Sequence, residues 1–236
     1  MKQKFRESLI IPFWLIVTLW AIQAFQSLTG ISLGMYGVYP REVFGLRGIL
    51  FSPLLHSGWP HLLANTPPLF ALTAMTLFFY RSIAFRSFTM IYLLTGLAVW
   101  IFARDRAFHI GASGVVYGLV AFMFWNGIFR RNLKSIVLSL IVVFYYGGMF
   151  MGIVPGEKDV SWESHLLGGL VGIFAAFWYK DEGEPDEERP RYSWEQEEEQ
   201  APGYFLDRDT FDKTKQQRQQ ERQQGEGSDW NSSGTW

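Results

Sequence analysis

Ser113 and His165 are the residues whose types and positions could do chemistry together: each stands at the head of an apolar segment, about fifty residues apart. Polar and ionisable groups inside a bilayer cost free energy and are functional candidates by default. A serine hydroxyl is a weak nucleophile until a histidine within hydrogen-bond reach takes its proton. The tetrahedral intermediate that follows needs donors for its oxyanion. His61 and Asn65 stand i and i+4 on one helical face, so both can point at one site, and the Ser113 backbone N–H adds a third donor. Together these residues point to a serine hydrolase working by a Ser–His dyad, with the ring of Tyr117 stacked on the imidazole. Glu163, two residues before His165, points elsewhere on its helix and is a poor third member. His109, four residues before Ser113, is a rival base, although the Gly-rich run between them argues against continuous helical geometry. His56 reads as a loop histidine bonded to backbone. The bland readings are a small-residue packing motif around Ser113 and, for His61 and Asn65, a polar helix end that satisfies free backbone donors.

The elements that must position these residues are apolar stretches, roughly 9–27, 61–80, 87–103, 113–129, 135–154 and 163–179. A helix needs about 20 residues to cross the hydrocarbon and about 17 at the least, so the third, fourth and sixth are short. The first is read as an uncleaved span, because no small-residue cleavage site follows it. Lys2, Lys4, Arg6, Arg81, Arg86, Arg130, Arg131, Lys134 and Lys180 fall on one side of the six. Arg41, Arg47, Arg104, Arg106 and Lys158 fall on the other. The positive-inside rule then puts both termini in the cytoplasm of a multi-pass protein of the cell membrane. The second, fourth and sixth helices run inward, so His61, Asn65, Ser113, Tyr117 and His165 gather at similar depth in the outer half of the bilayer, at about 1.5 Å of rise per residue.

Close packing of helices in lipid favours small residues four apart. Gly114 and Gly118 have that spacing beside Ser113, and Gly168 and Gly172 have it on the face of His165. The simplest arrangement packs the fourth helix on the sixth through these glycines.

Residues 1–180 hold 14 Lys+Arg against 6 Asp+Glu, a net of +8; residues 181–236 hold 7 against 16, a net of −9. The expected organisation is a membrane domain over 1–180 and an acidic, Gln-rich, disordered cytoplasmic tail over 181–236. The Gln/Arg run 216–224 is a candidate short helix within that tail. With no cysteine there is no disulfide, thiol nucleophile or cysteine-based metal site. Aromatic content is 17%, most of it expected to face lipid, and it carries no nucleic-acid signal. Neither metal nor organic cofactor is implied.

Three stretches, HSGWPHLLAN (His56 to Asn65), GASGVVY (Gly111 to Tyr117) and HLLGGLVG (His165 to Gly172), closely resemble the rhomboid family of intramembrane serine proteases, in the family's order. The resemblance covers about residues 8–180. It implies an all-α bundle of six transmembrane helices with a membrane-embedded first loop over 30–60. It implies Ser113 as nucleophile, His165 as base, and His61, Asn65 and the Ser113 amide as the oxyanion site, with Gly111 and Gly114 flanking the serine. Further implications are a water-filled cavity open to the extracytoplasmic side and cleavage of transmembrane segments of substrate proteins. Arg47 matches the family's loop arginine, and the fifth helix its lateral gate. Ser164 stands where alanine is usual, and Pro67-Pro68 closely follows Asn65, where a bend could shift the oxyanion donors. The competing readings are a non-catalytic rhomboid-like binder of membrane proteins and a transporter. Such binders typically lack the serine or the histidine, and no intramembrane charges or repeated halves favour a transporter.

Overall fold

The computed structural model describes residues 2–154, 161–182 and 212–228. The chain divides into two units, Met1–Glu188 and Arg189–Trp236. The first contains six long helices: α1 (Lys2–Thr29), α2 (Trp59–Phe79), α3 (Ala84–Phe102), α4 (Ser113–Arg130), α5 (Leu133–Tyr146) and α6 (Trp162–Trp178). Among the described residues of this unit the secondary structure is otherwise short helical turns and one isolated bridge, Val38 with His109. Three helices, α1 to α3, are long and apolar enough to cross a membrane. The protein is an all-α membrane protein.

α4 lies at the centre. Val115, Val116, Leu119, Phe122 and Met123 on it are all at most 2% exposed and form the core with Leu62, Leu69 and Leu72 of α2, Ile91 of α3 and Ala175 and Ala176 of α6. The outward faces are as apolar as the core: Trp14, Phe85, Leu140, Phe144 and Trp178 are all exposed. That inversion suits helices whose surroundings are lipid. α4 ends where Arg131 takes a left-handed conformation, φ 54°, and Asn132 starts α5 by accepting the Ser135 N–H at 2.8 Å.

The most extensive helix pair is α4 on α6. It depends on glycine. A Cβ on Gly168 would stand 2.1 Å from the Gly114 carbonyl oxygen, and one on Gly172 would stand 2.1 Å from that of Gly118. The two backbones touch, register fixed, with nothing between them.

Residues 30–58 form the first loop, built of short turns against α3. The Tyr92 hydroxyl donates to the Leu50 carbonyl at 2.5 Å and the Trp100 indole to that of Glu42 at 2.9 Å. Arg47 donates to the Met35 carbonyl at 2.8 Å while lying 4.6 Å from the centre of the Tyr36 ring. Val43, Phe44, Leu50 and Phe51 point outward.

α2 runs from Trp59 to Phe79 with Pro67 and Pro68 inside it, as the apolar stretch 61–80 implies. One expectation changes. The fifth helix, expected over 135–154, stops at Tyr146 and gives way to tight 3-10 turns over Gly147–Ile153, where Gly147, Gly148 and Gly152 make α-helix costly. In the tail, Lys215–Ser228 is helical (α7), over the Gln/Arg run named as a candidate short helix. It begins with a capping box: Thr214 Oγ1 accepts the Gln217 N–H at 3.4 Å and Gln217 Oε1 accepts the Thr214 N–H at 2.9 Å. The disorder expected over the rest of the tail, 183–211 and 229–236, lies outside the described residues.

Candidate active site

His165 sits in the first turn of α6, 8% exposed, and one face of its ring and one nitrogen are constrained by neighbours on α4 and the turn after α5. The Tyr117 ring lies on it with centroids 4.1 Å apart and planes 8° from parallel. The Tyr117 hydroxyl donates to the Met149 carbonyl at 2.7 Å. Nδ1 of His165 lies 2.8 Å from the Gly152 carbonyl oxygen. A carbonyl can only accept, so Nδ1 carries the proton and the neutral ring presents Nε2 as a lone pair. The sequence offered no carboxylate for this place, and a peptide carbonyl fills it. Gly152 has no alternative: a Cβ there would meet the Tyr117 hydroxyl at 2.1 Å.

Ser113 is the first residue of α4 and half-buried. Among the described residues its hydroxyl takes no part in a side-chain hydrogen bond. It lies one turn before Tyr117 on the same face. Its neighbour Gly114 packs on the residue before the histidine: a Cβ on Gly114 would lie 3.2 Å from the Ser164 carbonyl oxygen. Ser113 and His165 therefore flank one close helix contact.

His61 approaches from α2. Gly111 has φ +114°, a conformation that favours glycine, and a Cβ there would stand 2.7 Å from both Cε1 and Nε2 of His61. The missing side chain is filled by the imidazole. His61 Nδ1 meets the Ser57 hydroxyl at 3.2 Å. When Ser57 donates, Nε2 carries the hydrogen and faces the Gly111–Ser113 turn. Asn65, 6% exposed, donates one amide hydrogen to the His61 carbonyl at 2.8 Å and keeps a second.

His56 lies edge-on to His61 with centroids 5.0 Å apart, and its Nε2 accepts the Ala112 N–H at 3.4 Å. It thus supports the turn that presents Ser113. Burial, and after it the neighbouring His61, pushes the His56 pKa down to about 4. His109, the rival base, is turned away from Ser113: its Nδ1 meets the Ser161 hydroxyl at 2.6 Å. Glu163 is 8% exposed and reaches Arg104 at 3.4 Å. Among the described residues no three His, Asp or Glu side chains gather to hold a metal ion.

His61 of α2, Ser113 of α4 and His165 of α6 thus stand at the heads of three helices of an all-helical membrane protein. The chain is a member of the rhomboid family: residues 43–181 match the Rhomboid domain, with α1 outside the matched stretch. The family consists usually of intramembrane serine proteases. Two mycobacterial relatives are similar along most of their length. Uncharacterized protein Rv1337 of Mycobacterium tuberculosis is 36% identical over 170 residues, covering 69% of this chain and 71% of the relative. Uncharacterized protein ML1171 of Mycobacterium leprae is 34% identical over 167 residues, covering 67% and 66%. Neither name carries an activity.

Proposed function

We propose that the chain is an intramembrane serine endopeptidase that cleaves transmembrane segments of membrane proteins. The observation that carries this reading is the state of His165: Nδ1 is committed to the Gly152 carbonyl and the ring is stacked on Tyr117, which leaves Nε2 to act as the base. Nε2 takes the Ser113 proton as Oγ attacks the scissile carbonyl. The oxyanion is met by His61 Nε2–H, the free Asn65 amide hydrogen and the Ser113 N–H. Nε2 then returns the proton to the leaving amine, and an acyl-enzyme on Ser113 remains. Water, activated by the same nitrogen, hydrolyses it. The imidazolium formed on the way needs no carboxylate, since its Nδ1–H is already accepted by a carbonyl.

The orientation follows from the basic residues: both termini in the cytoplasm, the site opening to the extracytoplasmic side, and the exposed apolar side chains of the first loop in the membrane. The acidic tail lies in the cytoplasm. The substrate segment must unwind locally, because a helical peptide bond is shielded by its own turn.

The test is cleavage of a reporter transmembrane substrate by the purified chain beside Ser113→Ala and His165→Ala. Loss of cleavage in both is expected. A wild type that cleaves nothing across several substrates, and that takes no fluorophosphonate on Ser113, would leave the non-catalytic binder instead.

A further inference from the structure

His109 takes no part in the proposed chemistry, yet its side chain is held at both ring nitrogens in the loop before α4. It is 4% exposed. Its backbone pairs with Val38 in both directions, at 2.8 and 3.0 Å. Its Nε2 lies 3.4 Å from the Arg104 carbonyl oxygen, and its Nδ1 lies 2.6 Å from Ser161 Oγ. From Ser161 the chain of hydrogen bonds continues to Ser164 Oγ at 2.7 Å. The Ser161 carbonyl also accepts the His165 N–H at 3.3 Å.

Each end of this chain adjoins one reacting residue. At one end, His109 leads through the Gly111 turn to Ser113, so fixing its backbone fixes the start of α4. At the other, Ser161 and Ser164 hold the first turn of α6, and Ser164 is the residue directly before His165. The glycine contacts of α4 and α6, from Gly114 against Ser164 and Gly168 against Gly114 onward, set the spacing of the helix bodies. The His109–Ser161–Ser164 chain adds a hydrogen-bonded tie at their heads. A polar link of this kind holds one geometry through bond directions, as apolar packing does not.

We propose that His109 and Ser161 are positioning residues, clamping the head of α4 to the head of α6 so that Ser113 and His165 stay in register for proton transfer. The proposal rests on the protease reading. With Nε2–H facing the Arg104 carbonyl, His109 accepts the Ser161 hydroxyl at Nδ1, and Ser161 Oγ accepts in turn from Ser164; a side chain with an amide at similar reach can replace it, and an alkyl one cannot.

The experiment is steady-state cleavage of a reporter transmembrane substrate by the full chain and by His109→Leu, His109→Gln, Ser161→Ala and the double variant His109→Leu/Ser161→Ala. Thermal unfolding in detergent is measured in parallel. A misplacement near 1 Å costs about 100-fold in rate. His109→Leu and Ser161→Ala are expected to lose about 10- to 100-fold in kcat, with KM within about twofold. The double variant is expected to be no worse than either single one, since both break the same link. His109→Gln is expected to recover most of the lost kcat. Unchanged kcat in His109→Leu, additive losses in the double variant, or equal losses in His109→Leu and His109→Gln would each overturn the clamp while leaving the protease standing. A wild type that neither cleaves nor takes fluorophosphonate would overturn the protease reading and the clamp with it.

Discussion

The ring of Tyr117 lies flat on the imidazole of His165, 4.1 Å between centroids, and the two residues are held from the same short turn: Tyr117 by the Met149 carbonyl and His165 by that of Gly152. The stack and the two hydrogen bonds form one unit, so the imidazole cannot rotate without disturbing all three.

Tyr117→Phe and Tyr117→Leu separate the parts of that unit. Tyr117→Phe keeps the stack and loses the bond to Met149, worth about 1 kcal/mol, so kcat should fall about fivefold. Tyr117→Leu also loses the ring contact, worth about 0.5–1.5 kcal/mol more, and should fall roughly 10- to 100-fold. Reporter cleavage measures both; a Leu variant as fast as the wild type would show that the stack does not serve the base.

Gly168→Ala should damage the fold and Gly169→Ala should not. The first places a methyl 2.1 Å from the Gly114 carbonyl oxygen; the second meets nothing within 4 Å. Overpacking of this kind costs about 1–3 kcal/mol. Thermal unfolding in detergent should show a clear drop for Gly168→Ala alone, and equal melting points would mean that α4 and α6 are not in backbone contact.

Gly111→Ala tests the seat of His61. It combines strain at φ +114° with a methyl 2.7 Å from the ring. Cleavage should fall about 100-fold, while circular dichroism keeps its helical signal. Retained activity would remove His61 from the oxyanion site.

His56 gives the fold a pH dependence. It is held neutral, with a pKa of about 4 against 6.5 unfolded, chiefly by burial. Above pH 6.5 it is neutral in both states and costs nothing. As pH falls from 6.5 towards 4 the unfolded chain takes up a proton that the folded one refuses, so stability declines, by at most about 3 kcal/mol. Comparing unfolding at pH 7 and pH 4.5 for the wild type and His56→Gln checks the share due to this residue. If His56→Gln loses as much stability as the wild type over that range, another group is responsible.

The side chains of the candidate site are of types that announce themselves in a sequence. Ser113, His61, Asn65 and His165 are polar residues at the heads of apolar runs, and the glycines at 114, 118, 168 and 172 repeat at a helical spacing. What stayed hidden was contributed by backbone. The Gly152 carbonyl and the Met149 carbonyl have no residue type to read, and their place depends on α5 stopping at Tyr146, eight residues before the apolar run does. The link from His109 to Ser161 was hidden for a different reason: it joins two loops distant in sequence, and helical periodicity says nothing about either. The tail helix, by contrast, carried a readable signal in Thr214 and Gln217.

The acceptor behind His165 is a peptide group, and this has a genetic consequence. A carboxylate in that place could be erased by one codon change, or neutralised by acid. A main-chain oxygen survives every substitution, so mutational scanning can report on it only indirectly, through intolerance of any side chain at Gly152, where the Tyr117 hydroxyl already occupies the space.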